Sequence, residues 1–298
     1  MTRRSPQTER LVEIVEFLAA NPQREYRLTD LARLVEMDAA TCHPMLTELT
    51  RVGWLVKDRT RKTYRLGPRL VAVGSAAQVS LPIAACARPT MERLAADTGL
   101  PACLFLPSSD HLVIADLTYP DDQRLPLQPG DHVEFGPPFG AVLAAWASPF
   151  HVDAWLQRIE SGAEDPVATW QTLRTIRRRH FSVELSPQPA SSMRELTDAV
   201  SGVLHGSRRA EWMIGGQRPV MTPGLMLDGI EETTTYLPLS VSGACFDPGG
   251  TPVAALSVLA MAAPTTGREL LTLGAQVRTA ADVVTRHLGA SPPRLAQP

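Results

Sequence analysis

One stretch, from Tyr26 to Leu70, constrains the fold of this chain more than any other. It reads YRLTDLARLVEMDAATCHPMLTELTRVGWLVKDRTRKTYRLGPRL. A short helical pattern is followed by a second amphipathic helix, by a break at Gly53 and by two strand-like pieces around a basic tip. Helix, helix and basic hairpin in this order, with few residues between them, predict a winged helix-turn-helix. Double-stranded DNA is therefore the first partner to consider.

The second helix of this stretch has a polar outer stripe that suits a DNA groove. Small or hydroxylated side chains near its beginning would allow a close approach to the major groove. Thr29 is interpreted as the N-cap of the preceding helix, and Asp38 or Thr41 as that of the second. The inward residues are predicted to be Cys42, Leu46, Leu49 and Val52. The predicted DNA contacts are Thr29, Ala40, Thr41, His43, Thr47, Arg51, Arg59, Arg61, Lys62 and Tyr64.

Pro44 is an unusual residue for this helix, because a proline in a helix interior lacks an N–H and costs about 3 kcal/mol. Two interpretations are open. Either the helix kinks at Pro44, or Thr41 is the N-cap and Pro44 lies in the first turn, where N–H groups have no intrahelical partner. The second interpretation is preferred.

The charge of the chain is unevenly distributed. The formal net charge is −2, but residues 1–74 carry 13 Lys and Arg against 9 Asp and Glu. The remainder carries 16 against 22, and residues 51–69 alone carry seven basic residues and one acidic residue. A basic ribbon on an otherwise acidic protein favours a sequence-specific DNA-binding protein over one that coats nucleic acid.

Several functional classes find no support in the composition. No apolar run approaches 18 residues, so we expect no transmembrane helix. No apolar segment follows the charged N-terminus, so we expect no signal peptide. The expected location is the cytoplasm. The cysteines are scattered without metal-ligand spacing, so we expect buried thiols, no metal and no cofactor. They are Cys42, Cys86, Cys103 and Cys245.

Beyond Ile83 the chain mixes strand-like and helical pieces without a regular alternation, which predicts an α+β domain. These pieces include a predicted helix at 91–97 and predicted strands at 102–106 and 112–117. The Gly/Pro-rich residues 136–140 open an Ala-rich helix, whose free N–H groups favour an anion. Asp247-Pro248-Gly249-Gly250 between two apolar runs predicts an antiparallel hairpin. Residues 186–236 have no interpretable pattern.

Specific motifs resemble the IclR family of bacterial transcription regulators. Leu31-Ala32, Thr41, His43 and Gly53 match the helix-turn-helix pattern of that family, and the most specific match is Tyr64-Arg65-Leu66-Gly67-Pro68-Arg69-Leu70 at the end of the wing. Pro44 stands where members usually have an arginine, so we hypothesise that His43 and Thr47 read bases without that contact. In the second half, Phe246-Asp247 and Val253–Val258 match the family's final hairpin, and Arg177–His180 matches its helix end, with His180 in place of a glycine.

The resemblance implies a GAF-like domain that binds a small-molecule effector. Because Pro138 offers no N–H and Phe139 brings a ring, we expect an organic acid or aromatic ligand larger than glyoxylate. The alternative is that Phe139 and Trp146 are simply core residues. The predicted effector contacts are Cys103, Phe105, Phe139, Gly140, Ala141, Trp146, Ser240 and Ser242.

The predicted organisation is a DNA-binding domain over residues 1–67, a linker helix over 68–82, an effector-binding domain over 83–290 and a tail over 291–298. A homodimer, or a dimer of dimers, is expected on a palindromic operator. One alternative is a DNA-binding regulator that is switched by a protein partner and has no small-molecule ligand. A remote alternative is a hydrolase with Cys103 or Cys245 as nucleophile and His111, His132 or His180 as base, but catalytic motifs are absent and we predict no enzyme.

Overall fold

The computed structural model describes residues 5–120, 125, 127–158, 166–185, 226–260 and 263–293, and the chain divides into two compact units, 1–82 and 83–298. The first unit contains four helices and three short strands. They are α1 (Pro6–Ala20), β1 (Tyr26–Arg27), α2 (Leu28–Leu34), α3 (Ala39–Arg51), β2 (Leu55–Asp58), β3 (Thr63–Leu66) and α4 (Arg69–Val79).

The core of the first unit is formed by side chains from every part of the predicted winged helix-turn-helix. Ile14 of α1, Leu31 of α2 and Leu46 of α3 are completely buried against Leu55 and Tyr64 of the sheet. The sheet has the order β1-β3-β2 and is antiparallel, so β3 is its central strand. The winged helix-turn-helix predicted from the sequence is confirmed.

The exit of the wing is fixed against the end of α3 by a close backbone contact. The N–H of Gly67 donates to the carbonyl of Trp54 at 2.7 Å, and the N–H of Arg69 donates to that of Gly53 at 3.2 Å. A β-carbon on Gly67 would lie 2.3 Å from the Gly53 oxygen. Only glycine fits at this position, which explains its place in the Tyr64–Leu70 motif.

The second unit is built on a six-stranded antiparallel sheet with the order β6-β5-β4-β10-β9-β7. Its strands and those of a small two-stranded ribbon are β4 (Ala102–Ser108), β5 (His111–Thr118), β6 (His132–Glu134), β7 (Ser182–Leu185), β8 (Thr235–Tyr236), β9 (Pro238–Phe246), β10 (Pro252–Leu259) and β11 (Thr265–Thr266). Its helices are α5 (Pro82–Thr98), α6 (Ala141–Ala144), α7 (Pro149–Leu156), α8 (Pro166–Arg179) and α9 (Gly267–His287).

The two faces of this sheet carry separate cores. On one face, α5 and α9 cover a cluster that includes Met91, Leu256 and Val277. Gly243 of β9 allows α9 to pack closely, since a β-carbon there would lie 3.0 Å from that of Ala281. On the other face, α6, α7 and α8 cover a second cluster that includes Trp155. The α+β fold predicted from the sequence is confirmed.

The element bounds differ from the prediction in several places. Strands β4 and β5 are longer than the predicted 102–106 and 112–117, because they extend to a tight turn at Ser109 and Asp110. The helix predicted at Met91–Asp97 begins already at Pro82 and continues through Pro89. Within 186–236, residues 186–225 lie outside the described ranges. In the described part of the chain, no single helix is long and apolar enough to cross a membrane, and no group of three or more potential ligand side chains is placed to hold a metal ion.

Candidate nucleic-acid interface and effector site

The N-terminus of the recognition helix α3 is capped by Asp38. Its carboxylate accepts hydrogen bonds from the N–H of Thr41 at 2.8 Å and from the Thr41 hydroxyl at 2.7 Å, and these bonds lower the pKa of Asp38. The preferred interpretation that Thr41 caps the helix is therefore wrong. The helix begins at Ala39, which makes Pro44 its sixth residue, and it continues unbroken to Arg51. Because proline has no N–H, the carbonyl of Ala40 lacks the bond that residue 44 would normally donate.

The outer face of α3 carries half of the predicted DNA contacts. Ala40, Thr41, His43 and Thr47 are exposed, while Cys42, Leu46 and Leu49 are buried as predicted, together with Met45. The hydroxyl of Thr47 donates to the carbonyl of His43 at 2.8 Å, which leaves its oxygen as an acceptor. Val52 was predicted to face inward, but it follows the helix as its C-cap and is 39% exposed.

Arg51 lies at the exposed end of this face and is paired within its own helix. Its guanidinium donates to both carboxylate oxygens of Glu48, at 2.8 and 2.5 Å, which lowers the pKa of Glu48 and raises that of Arg51. An exposed pair of this kind is weak in water, so a DNA phosphate can compete for the guanidinium.

The wing presents an exposed basic tip that is shaped by two acidic residues. Arg59, Arg61 and Lys62 are exposed, and Asp58 accepts hydrogen bonds from the N–H groups of Thr60 and Arg61 at 2.8 Å. The Asp58 pKa is lowered by these bonds. Glu25, which sequence reasoning did not single out, accepts a bond from the Thr63 hydroxyl at 2.6 Å and lies 3.9 Å from Arg61 and Arg65.

One predicted DNA contact and one predicted helix cap need correction. Tyr64 is only 2% exposed, because its side chain packs into the core against the helices, and the Lys57 ammonium lies 5.1 Å from its ring centroid. Thr29 is exposed, but it is the second residue of α2 and not its N-cap, which is Arg27. The carboxylate that accepts from the Arg27 N–H is Asp30, at 3.0 Å.

In the second unit, the structure places the predicted aromatic residues in one cluster. Phe105, Phe139 and Trp146 are partly buried in the core between the sheet and α6–α8, and Cys103 and Ala141 are fully buried in it. The three rings therefore pack against one core cluster.

The loop before α6 does not offer free N–H groups in the way that its sequence suggested. The N–H of Phe139 donates to the carbonyl of Gly136 at 2.8 Å, and the carbonyl of Phe139 accepts from the indole of Trp155 at 3.0 Å. Gly140 has φ +77°, and a β-carbon there would lie 2.4 Å from the Phe135 ring. The Ala-rich helix is a single buried turn of four residues, so the predicted anion site at its N-terminus has too little helix behind it.

A polar strip that the sequence only partly indicated crosses the same face of the sheet. Cys103, Ser257, Ser242 and Ser182 are paired across four neighbouring strands, and Ser242 and Ser257 share a hydrogen bond of 2.7 Å. Glu184 lies beside this row. It accepts from the hydroxyls of Ser182 at 2.7 Å and Ser240 at 2.6 Å, and the hydroxyl of Ser242 lies 3.4 Å away.

Glu184 is almost completely buried, at 2% exposure. Burial raises its pKa, while the serine hydroxyls and the charge of Arg179 oppose that rise. Arg179 itself is held by the backbone carbonyls of Phe181, Leu227 and Asp228, and burial lowers its pKa to about 10. Glu184 was not among the predicted site residues. Its sequence signal is the alternation Ser-Val-Glu-Leu in one strand: Val183 packs into the core on the other face of the sheet, so its neighbours Ser182 and Glu184 point to this face.

His180 connects α8 to the strip in a backbone conformation that favours glycine, with φ +64°. The buried ring meets Trp146 edge-on, with the centroids 5.1 Å apart. Burial is the main cause that lowers the His180 pKa, and the charge of Arg278 adds to it. The glycine expected by resemblance is thus replaced by a residue that packs against a predicted effector contact.

The two proposed nucleophiles are placed unfavourably for catalysis. Cys103 and Cys245 are both completely buried, and burial raises the pKa of each thiol far above its ordinary value. A reactive cysteine needs the opposite shift, since the thiolate is the nucleophile. The structure gives the hydrolase alternative no support.

A surface cleft of 780 Å³ opens beside Trp146, which is the one predicted effector contact among its lining residues. Its other lining residues in the described part of the chain come from α8 and from the segment at Asp228, and no residue of the loop 136–141 lines it. They are Gln171, Arg174, Thr175, Arg177, Arg178 and Asp228.

The fold and the exposed face of α3 define a winged helix-turn-helix DNA-binding unit followed by an antiparallel-sheet unit. Residues 7–59 match the IclR helix-turn-helix domain. This match places the IclR helix-turn-helix domain in the first unit, and the whole chain has the fold of IclR transcriptional regulators. The resemblance seen in the sequence is confirmed.

Solved structures carry the similarity through both units. An IclR transcriptional regulator from Alicyclobacillus acidocaldarius is 18% identical, with a TM-score of 0.68 over 96% of this chain and 100% of that one. The Thermotoga maritima IclR is 18% identical, with a TM-score of 0.57 over 95% and 98%. An IclR homolog from Microbacterium hydrocarbonoxydans, in complex with 4-hydroxybenzoate, is 16% identical, with a TM-score of 0.61 over 96% and 100%. No curated protein sequence matches the chain.

Proposed function

We propose that this protein regulates transcription by binding operator DNA through α3 and the wing, and that its second unit responds to a small organic or aromatic acid. The observation that carries the first part is the exposed stripe of small and hydroxylated residues on α3 beside a basic wing tip, on an IclR helix-turn-helix domain. The stripe suits base edges in a major groove, and the wing cations suit phosphates.

One α3 helix covers only a short half-site, so the proposal includes a homodimer, or a dimer of dimers, on a palindromic operator. The proposal also assigns α4 the role of a linker that couples the two units. An effector would act by favouring one arrangement of the two half-sites. Such a regulator works at the chromosome, and a cytoplasmic location belongs to the same proposal.

The second part is supported by the aromatic rings of Phe105, Phe139 and Trp146, which pack against one core cluster, and by the polar strip around Glu184. Rings supply apolar contact area, and hydroxyls and a carboxyl orient a polar group. The complex of the Microbacterium homolog with 4-hydroxybenzoate is consistent with a ligand of this size. Because Phe139 and Ala141 are packed into the core, regulation by a protein partner is the competing proposal.

The first experiment is operator binding by the purified chain, measured by fluorescence anisotropy on DNA from its own upstream region across a salt series. Binding is expected to survive nonspecific competitor DNA. Arg59→Ala and Lys62→Ala should each make the negative slope of log K against log salt shallower by about 0.9 for each wing in the complex, since each cation releases about one counterion. Arg93→Ala removes an exposed arginine from α5 and should leave the slope unchanged.

Loss of all binding on addition of competitor would contradict the regulator proposal. Equal slopes for the wing variants and Arg93→Ala would contradict the role of the wing. A panel of aromatic acids is then added to the operator complex. A shift in affinity supports the small-molecule effector, and no shift with any acid would favour the protein partner.

A further inference from the structure

The cleft beside Trp146 has a positive lining that comes from one helix face. Gln171, Arg174, Thr175 and Arg178 follow the spacing i, i+3, i+4, i+7 along α8, so they lie on one side of that helix. The core side of the same helix is formed by buried residues such as Leu173 and Ile176. The polar stripe of α8 therefore forms a wall of the cleft.

Among the described residues, the positive charges of this wall exceed the negative charge near them. The described lining of the cleft contains Arg174, Arg177 and Arg178 and one carboxylate, that of Asp228, so these side chains together carry a formal charge of +2. In the described part of the chain, none of the three guanidiniums forms an ion pair, and Arg178 donates to the Thr175 hydroxyl at 3.1 Å. Cations are favoured at the C-terminal end of any helix because they interact well with the helix dipole. That preference does not explain why these three arginines line a concave surface.

The cleft also contains a fixed aromatic ring. Trp146 is held edge-on between His180 and Phe246, with centroid distances of 5.1 Å to each. The guanidinium of Arg177 lies 4.9 Å from its ring centroid, a cation–π arrangement. An apolar ring and two further cations thus face the same space, and a volume of 780 Å³ is in the range that holds an organic ligand.

We infer that this cleft binds an aromatic carboxylate, with the carboxylate held by Arg174 and Arg178 and the ring packed beside Trp146. Arginine suits this ligand because its planar guanidinium donates two parallel hydrogen bonds to a carboxylate. Gln171 and Thr175 supply further hydrogen-bonding groups at the same wall. The inference deepens the proposed effector response and rests on it for its regulatory meaning. It places the acidic group of the ligand at α8 and not at the loop 136–141.

The test is isothermal titration calorimetry of the full chain with 2-naphthoate as the probe, without DNA. The neutral isostere 2-naphthamide and inorganic phosphate separate the contributions of charge and ring. We expect 2-naphthoate to bind at least tenfold more tightly than either compound. Arg174→Gln and Arg178→Gln should each weaken 2-naphthoate at least tenfold and change 2-naphthamide little. Both residues are at the surface of the cleft, so thermal unfolding should confirm that the variants fold.

Arg93→Gln is the matched control, since it removes an exposed arginine of the same unit outside the cleft. The inference is overturned if 2-naphthoate does not bind, if the cleft variants bind it as tightly as Arg93→Gln does, or if 2-naphthamide binds equally well. Tighter binding of phosphate than of 2-naphthoate would also overturn it, because the ring would then contribute nothing. Operator binding is measured in a separate assay, so a failure of the regulator proposal is distinguishable from a failure of the cleft.

Discussion

Gly67 offers a direct test of how the wing is attached to the recognition helix. In a Gly67→Ala variant, the new β-carbon would lie 2.3 Å from the carbonyl oxygen of Gly53 and 2.9 Å from the carbonyl carbon of Trp54. The first distance is roughly 1 Å shorter than ordinary van der Waals contact. Both neighbours are backbone atoms, so no side-chain rotation relieves the overlap, and the end of α3 and the exit of β3 must move apart.

Overpacking of this kind costs about 1–3 kcal/mol. For a unit of this size, 1 kcal/mol lowers the melting temperature by about 4–8 °C, so we expect the first unit to unfold roughly 10 °C lower in differential scanning calorimetry. The displaced wing should also weaken operator binding at temperatures where the variant is folded. The hydrogen bonds from Gly67 to Trp54 and from Arg69 to Gly53 should lengthen together, since they cross the same contact.

Gly74→Ala is the matched control. Gly74 lies within α4, and a β-carbon there meets nothing within 4 Å. This change should stabilise the unit by about 0.5–1 kcal/mol, since glycine is a poor helix former. If both alanine variants melt at the same temperature and bind the operator equally, the close contact does not determine the geometry of the wing and the reasoning is wrong.

Two further predictions concern Pro44 and Glu184. Pro44→Ala returns the N–H that the carbonyl of Ala40 lacks, so it should stabilise the first unit by about 1–3 kcal/mol and raise its melting temperature by roughly 10 °C. An unchanged melting temperature would show that Pro44 is fully accommodated. Burial raises the pKa of Glu184, so its protonated form is favoured in the folded state. The protonated Glu184 therefore stabilises the folded state at pH values below the ordinary carboxyl pKa. This stabilisation is lost as the pH rises through the raised pKa that Glu184 has in the folded state. In urea unfolding at a series of pH values, Glu184→Gln should therefore gain stability relative to the native chain as pH rises, and a constant difference would contradict the raised pKa.

The sequence by itself determined the order of elements in the first unit, because its signals are local. Helical spacing, the break at Gly53 and the basic hairpin all depend on residues close together in the chain, and the exposed stripe of Ala40, Thr41, His43 and Thr47 followed from helical periodicity. The antiparallel pieces of the second unit were found for the same reason. Neighbouring positions alone, however, could not choose between Asp38 and Thr41 as the cap of α3.

Only the tertiary structure decided which face of each strand is covered. Tyr64 is buried because the helices of the first unit cover its face of β3, and the pairing of β3 with β1 involves a two-residue strand with no sequence signal. The row of Cys103, Ser182, Ser242 and Ser257 depends on the register of four strands that are far apart in the chain. The cleft beside Trp146 likewise requires α8 to lie next to the end of α6. Periodicity specifies which residues share a face of a helix or a strand. The element that covers this face is set by pairing between segments that are far apart in the chain. That pairing therefore decides whether a charged or polar side chain becomes part of a site.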